Sequence, residues 1–255
     1  MEIVYPTVIA AARLLFRALD LRITVEGDEH VPLDGPVVLA SNHVSFLDFT
    51  LVGLAARRAR RNVRFLARHD VWDNPVAGPV MRAMRHVPVD RTAPAAAYLR
   101  ARALLRQGEA VGVFPEAGVS TSYSVRAMMP GAVALAAATG APLVPVALWG
   151  PQRLLTAHRP KDLTRGRPVS LLVGRPWQVG SSADVRGTTA LLGAHLQQML
   201  DVLQVREVHR PRPGEFAPWH PAHLGGQAPT RDEAELSEGL PASAVPASWP
   251  PARAV

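Results

Sequence analysis

A chain of 255 residues is long enough for one domain with a sizeable hydrophobic core. It has no cysteine, which excludes disulfides, cysteine metal sites and covalent catalysis by cysteine. Its formal net charge of +7 suits an anionic substrate or membrane surface. We expect no nucleic-acid partner, because the sequence shows neither interleaved aromatic residues nor a recognisable nucleic-acid module.

The first 20 residues are rich in apolar side chains, and Arg13 and Arg17 lie one helical turn apart. This stretch is short for a membrane span, contains charges and lacks the basic start of a signal peptide. We predict an amphipathic helix over residues 1–20. Such a helix either lies in a membrane interface or packs on the core of its own domain.

Apolar runs and helical segments alternate over residues 21–207. This alternation predicts an α/β domain with a mixed, largely parallel sheet that is covered by helices on both faces. The predicted strands are 21–26, 37–41, 64–67, 110–114, 143–148 and 169–173. The predicted helices are 46–61, 72–84, 92–107, 131–139 and 188–205. From residue 208 onward Pro and Gly punctuate the chain, so we predict an extended or disordered tail over residues 208–255.

A polar motif follows the predicted strand 37–41. His43 and Asp48 straddle a strand-to-helix turn and can form a hydrogen-bonded pair. An imidazole held by a carboxylate keeps one tautomer, and its other nitrogen can then accept a proton. Ser45 and Asp48 also fit a capping box, in which Asp48 would only start the next helix. These two interpretations are both open at this point.

A second polar motif, residues 115–120, follows the predicted strand 110–114. Ligand sites in open α/β sheets gather at the carboxyl ends of strands. We therefore expect the two polar motifs to share one site at this edge of the sheet.

Four motifs in order resemble those of the glycerolipid acyltransferase family, which includes the lysophosphatidate acyltransferases. They are Asn42-His43 with Asp48, residues 87–91, residues 114–120 and residues 144–146. The resemblance implies transfer of a fatty acyl group from acyl-CoA or acyl carrier protein to a hydroxyl of lysophosphatidate or glycerol 3-phosphate, in phospholipid synthesis. It implies an acyl-CoA-dependent O-acyltransferase that needs no metal or bound cofactor and that binds the cytoplasmic face of the cell membrane peripherally.

The resemblance also assigns roles to residues. His43 would take the proton of the acceptor hydroxyl while Asp48 holds its other nitrogen. Backbone N–H groups near Ala117 and Gly118 are candidates for stabilising the oxyanion. Asn42 and Glu116 would belong to the substrate-binding set, with Glu116 bonding the acceptor.

The third motif departs from the family pattern, because Val119 occupies the position at which the family has an arginine. Arg91 and Arg126 could supply the missing charge, and Arg68 occupies a place where the family commonly has lysine. One alternative follows from this departure, and a second follows from the capping interpretation of the first motif. The chain could use the same chemistry on a phosphate-free lyso-lipid or glycolipid, or it could be a non-catalytic membrane-binding module that keeps the first motif only as a cap.

Overall fold

A seven-stranded sheet lies at the centre of the computed structural model, which describes residues 4–237, 239 and 243–245. The strands are β1 (Arg22–Glu26), β2 (Val37–Ser41), β3 (Val63–Arg68), β4 (Val87–Val89), β5 (Ala110–Val113), β6 (Leu143–Trp149) and β7 (Pro168–Val173). Their order across the sheet is β1-β7-β6-β2-β5-β3-β4. Only β6 and β7 pair antiparallel among these strands, which confirms the predicted mixed, largely parallel sheet.

Helices cover both faces of the sheet, as predicted. They are α1 (Val4–Ala18), α2 (Asp48–Ala55), α3 (Ala77–Ala83), α4 (Ala95–Arg106), α5 (Gly131–Thr139), α6 (Val185–Gln204) and α7 (Arg231–Ser237). Alternate residues of the fully buried β2 point to opposite faces. Val38 and Ala40 join the core beneath α4, α5 and α6, whereas Val37 and Leu39 join the core beneath α1 and α2.

Three predicted helices are shorter in the structure, and the one predicted over 92–107 loses only its ends, to Ala95–Arg106. The helix predicted over 46–61 spans only Asp48–Ala55, and the chain then turns through Arg60 at a φ of 53°. The helix predicted over 72–84 is divided into a 3-10 turn, His69–Asp73, and α3. The Asn74 side chain causes this division, because its Oδ1 accepts the N–H groups of Val76 and Ala77 and forms a local turn.

Helix α1 packs on the domain along one side only. Phe16 is buried, and the hydroxyl of Tyr5 donates to the carbonyl of Val63 (3.1 Å) and accepts its N–H (2.9 Å). On the other side Leu14 and Leu15 are 69% and 46% exposed. The helix therefore packs on its own core and still presents apolar side chains to solvent. None of the helices in the described ranges has the length and apolar character to cross a membrane.

The described part of the tail is largely irregular and lies against the domain. It contains 3-10 turns at Glu207–His209 and Ala222–Leu224 before α7. Its buried side chains include those of Ala217, Trp219, His220 and Ala228. The prediction for residues 238, 240–242 and 246–255 lies outside the described residues.

Candidate active site

His43 and Asp48 form a hydrogen-bonded pair at the carboxyl end of β2. Nδ1 of His43 lies 2.8 Å from Oδ2 of Asp48. The same oxygen accepts the backbone N–H groups of Val44 at 2.7 Å and Ser45 at 2.8 Å. Asp48 is fully buried, whereas the side chain of His43 is 19% exposed. With Nδ1 bonded to the carboxylate, Nε2 is the nitrogen that can accept a proton.

The capping prediction is only half right, because α2 begins at Asp48 itself and its N-cap residue is Leu47 rather than Ser45. Asp48 takes the Ser45 N–H, as in a capping box, and uses the same oxygen for the imidazole. The Ser45 hydroxyl in turn accepts the N–H of Leu47 at 3.1 Å. The turn that starts α2 is therefore also the turn that orients His43.

Burial makes a negative charge on the Asp48 side chain energetically unfavourable. Burial raises the pKa of Asp48, and the hydrogen bonds from His43, Ser45 and Val44 oppose this rise. Its second oxygen, Oδ1, has no hydrogen-bond partner among the described residues. A buried carboxylate in this setting stabilises a positive charge on the neighbouring imidazole, as a general base requires.

An aromatic stack fixes the plane of the His43 ring. The ring of Phe114 lies 4.3 Å from the imidazole, centroid to centroid, at an angle of 21°. Phe65 stacks behind Phe114 at 5.8 Å and 13°. This support could not be predicted from the sequence, in which Phe114 is only the last residue of a predicted strand and the first residue of the third motif.

Glu116 joins the two polar motifs. It is 1% exposed, and its Oε1 accepts the N–H of His43 at 2.7 Å while its Oε2 accepts the N–H of Arg126 at 2.8 Å. The N–H of Ser120 also donates to the carbonyl of His43 at 2.8 Å. The role predicted for Glu116 was acceptor binding, and its placement supports a positioning role, because both carboxylate oxygens hold backbone groups.

Asn42 is held in a similar way. It is fully buried, its Nδ2 donates to the carbonyl of Leu148 at 3.0 Å, and its Oδ1 accepts the N–H of Leu148 at 2.8 Å. This side chain takes part in the hydrogen bonding between β2 and β6. Its placement therefore also supports positioning of the motif rather than contact with a substrate.

Ala117 and Gly118 form the tight turn of the second polar motif. Ala117 has a φ of 53°, and its N–H donates to the carbonyl of Phe114 at 3.2 Å. A Cβ at Gly118 would overlap the guanidinium of Arg126, so the lack of a side chain there allows this close approach. Of the two predicted oxyanion donors, the N–H of Gly118 is the better candidate, since that of Ala117 closes the turn.

The three predicted arginines converge beside this turn. Arg91 donates from Nη2 to the carbonyl of Ala117, and Arg126 lies against Gly118. Burial lowers the pKa of Arg91, and the nearby positive charges of Arg68 and Arg126 lower it further. Asp70 offsets part of this charge through two hydrogen bonds with Arg68, at 3.1 and 2.5 Å. A cluster of guanidinium groups favours a bound anion.

The sequence model of the Acyltransferase family matches residues 22–149, a range that contains the paired His43 and Asp48, Glu116 and all three arginines. The chain belongs to this family. Membership confirms the resemblance that the four motifs indicated. The matched range ends at residue 149, before α6 and the tail.

Named relatives have similar sequences. The chain is 32% identical over 169 residues to 1-acyl-sn-glycerol-3-phosphate acyltransferase LPAT1, chloroplastic, of Arabidopsis thaliana, over 64% of this chain and 46% of that protein. It is 30% identical over 155 residues to the 1-acyl-sn-glycerol-3-phosphate acyltransferase of Bacillus subtilis (strain 168), over 60% of this chain and 73% of that protein. The chain thus spans about half the length of the plant relatives it matches.

A solved structure has the same fold. The crystal structure of PlsC, the 1-acyl-sn-glycerophosphate (LPA) acyltransferase from Thermotoga maritima, aligns with a TM-score of 0.67 at 23% identity. The alignment covers 79% of this chain and 80% of that chain. The Acyltransferase fold therefore extends over most of the described residues.

Proposed function

We propose that this chain transfers a fatty acyl group from acyl-CoA or acyl carrier protein to a hydroxyl of lysophosphatidate or glycerol 3-phosphate, in phospholipid synthesis. The observation that carries the proposal is the His43–Asp48 pair, which lies at one edge of the sheet together with a cluster of arginines. The names of the plant and Bacillus relatives support the same reaction.

The proposed chemistry uses His43 as a general base. Nε2 of His43 takes the proton of the acceptor hydroxyl while the hydroxyl oxygen attacks the carbonyl carbon of the thioester. Asp48 stabilises the imidazolium that forms, and the Gly118 N–H is positioned to donate to the oxyanion of the tetrahedral intermediate. When the carbonyl re-forms, the C–S bond breaks and the departing thiolate takes the proton from His43. A general base of this kind contributes about 10²–10⁴ in rate.

The arginine cluster is the proposed site for the acceptor's phosphate. Each guanidinium is a planar fork that can bond two phosphate oxygens. Arg126 would supply the charge that the family pattern places at Val119, since its guanidinium reaches the backbone of that same turn at Gly118. The proposal includes no metal or bound cofactor, and the acyl thioester is a substrate.

A membrane surface is the proposed place of action. The exposed Leu14 and Leu15 on α1 are accompanied by the exposed Arg17, a combination that suits a helix lying at an anionic interface. We propose peripheral binding at the cytoplasmic face of the cell membrane, where acyl-CoA and acyl carrier protein would be available as donors.

One observation favours a second acceptor class. Val119 is apolar and half-buried where the family pattern has arginine, so the anion site has one charge fewer at that position. The second candidate is therefore the same acyl transfer to a phosphate-free lyso-lipid or glycolipid.

A single set of assays separates these candidates. Purified protein is offered labelled acyl-CoA or acyl carrier protein together with lysophosphatidate, glycerol 3-phosphate or monoacylglycerol. Product with a phosphate-bearing acceptor supports the first candidate, and product with monoacylglycerol alone rejects it in favour of the second.

A matched pair of variants tests the catalytic claim in the same assay. His43→Gln should abolish most transfer, and His69→Gln, which changes an exposed histidine, should leave it intact. No product with any acceptor, together with equal vesicle binding by wild type and His43→Gln, would indicate a non-catalytic membrane-binding module.

A further inference from the structure

The active-site motif is held by the turn that follows β6. We call residues 150–156 the support turn. The carbonyl of Leu155 accepts the Ser45 hydroxyl at 2.5 Å and the Phe46 N–H at 3.2 Å. The hydroxyl of Thr156 donates to the carbonyl of Val44 at 2.7 Å. Three hydrogen bonds therefore fix residues 44–46 from outside the first motif.

These contacts bear on the orientation of the general base. The N–H groups of Val44 and Ser45 are two of the three donors that hold Oδ2 of Asp48. A shift of the support turn would move these donors, and Asp48 and His43 with them. Displacements of about 1 Å far from the reacting atoms can lower an enzyme's rate by 10²-fold.

A segment of the tail covers the support turn. We call residues 215–228 the strap. The guanidinium of Arg153 lies 3.6 Å from the ring centroid of Trp219, and its Nη2 lies 3.4 Å from Oε1 of Glu215. Nε2 of Gln152 donates to the carbonyl of Trp219 at 3.4 Å. Arg153 is 8% exposed and Trp219 is 5% exposed, so this contact is buried.

The strap has its own internal hydrogen bonds, which give it a defined shape. Ala217 donates to the side chain of Gln227 at 2.5 Å and accepts the N–H of the same residue at 3.1 Å. The N–H of Ala228 donates to the carbonyl of His220 at 3.1 Å. A folded loop of this kind can hold the Trp219 ring in one place over Arg153.

The buried cation makes this contact sensitive to change. Burial lowers the pKa of Arg153 to about 10, so the group is still charged at neutral pH. A desolvated cation over an indole face is a strong case of cation–π attraction. Loss of the Trp219 ring would leave Glu215 as the main group that stabilises the Arg153 cation. The support turn could then move toward solvent.

We propose that Trp219 and Arg153 are positioning residues for acyl transfer, through which the strap holds the support turn and thereby the His43–Asp48 pair. Both residues lie outside the range 22–149 that the family model matches. The inference rests on the proposed acyl transfer and adds to it a requirement for part of the tail.

The experiment compares two tryptophan variants of the full chain. Trp219→Ala removes the ring over Arg153. Trp177→Ala is the control, because Trp177 pairs with Leu143 at the opposite end of β6. Steady-state kinetics give kcat and KM for the acceptor, thermal unfolding gives Tm, and NMR reports the Nδ1 proton of His43.

We expect Trp219→Ala to lower kcat by about 10- to 100-fold with little change in KM, and to broaden or shift the Nδ1 proton signal. Trp219→Phe, which keeps an aromatic face, should recover most of kcat. Trp177→Ala should lower Tm while its kcat and Nδ1 signal stay those of wild type. Trp219→Leu takes the place of the alanine variant if that variant fails to fold.

Two outcomes would overturn the inference: wild-type kcat in Trp219→Ala (or in Trp219→Leu where it replaces the alanine variant), or equal losses of kcat in that variant and in Trp177→Ala. These are distinct from failure of the proposed function, which would show as no transfer by wild type with any acceptor.

Discussion

The catalytic pair and the arginine cluster are built in different ways. His43 and Asp48 lie within six residues of chain and are joined by one hydrogen bond across a single turn. The arginines come from three segments, at the end of β3, after β4 and in the loop after β5. The pair depends on local chain geometry, whereas the cluster exists only because β5, β3 and β4 are neighbours in the sheet.

The two regions also differ in rigidity. Asp48 is fully buried with three N–H donors on one oxygen, and His43 is stacked on Phe114. Arg68 and Arg91 are exposed and carry like charges close together. The proposed general base is therefore held by buried contacts of the fold, whereas the proposed anion site rests partly on exposed side chains that can change without disturbing the core.

The largest effect is expected at the carboxylate of the pair. Asp48→Asn keeps the size of the side chain but removes the charge that stabilises the imidazolium, so kcat should fall by about 10²–10⁴. Asp73→Asn, at an exposed aspartate, should keep wild-type kcat. Steady-state acyl transfer at saturating acceptor measures both. An Asp48→Asn enzyme with normal kcat would mean that the pair is only a helix cap.

A pH effect on stability is expected at His86, which precedes β4 and bonds to β3. His86 is buried and accepts the N–H of Phe65 at 3.0 Å, and burial lowers the pKa of His86 to about 4. Between that value and the ordinary value of 6.5 the unfolded chain binds more protons. The neutral, buried His86 therefore contributes about 3 kcal/mol to the free energy of unfolding above pH 6.5, and this contribution is lost as the pH falls toward 4.

The variant His86→Gln tests this effect, because glutamine can accept the Phe65 N–H but does not titrate. Urea unfolding at pH 7 and pH 4 should show a smaller acid loss for this variant than for wild type. The exposed His69→Gln should behave as wild type. An unchanged acid loss in His86→Gln would contradict a neutral buried imidazole.

A smaller and more selective effect is expected in the arginine cluster. Arg126→Met removes a charged donor to phosphate, so KM for lysophosphatidate should rise by about 10- to 100-fold, which corresponds to a charged hydrogen bond of 1.5–3 kcal/mol. KM for the acyl donor should not change. Arg100→Met on the exposed side of α4 is the control. Equal effects on both substrates would argue against a phosphate site.

The smallest effect is expected at the turn between the two regions. Ala117 adopts a φ of 53°, a conformation that favours glycine. Ala117→Gly should raise the free energy of unfolding by about 0.5–1 kcal/mol, because it relieves the left-handed strain. Chemical denaturation measures this difference. A loss of stability would mean that the Ala117 methyl group makes contacts worth more than the strain.

Structural features that depend on residues close together in the chain could be predicted from the sequence. Apolar runs located six of the seven strands, and the His43 and Asp48 spacing predicted their contact. The three-residue β4 was missed, because Val87–Val89 contains a proline and is too short for a clear pattern. Helix α3 began later than predicted, since the Asn74 side chain competes for backbone N–H groups.

Contacts between distant residues could not be predicted in the same way. Glu116 bonds the N–H of His43 across 73 positions of chain, and the support turn bonds Ser45 across 110 positions. Such contacts follow from the strand order, which places β5 and β6 on either side of β2. The stacking of Phe114 on His43 has the same origin.

The most direct test of the central claim is acyl transfer by His43→Ala under single-turnover conditions, with circular dichroism to confirm the fold. If His43 is the general base, the rate should fall by about 10²–10⁴ while the variant still binds acceptor. A folded His43→Ala variant that transfers acyl groups at the wild-type rate would contradict the account.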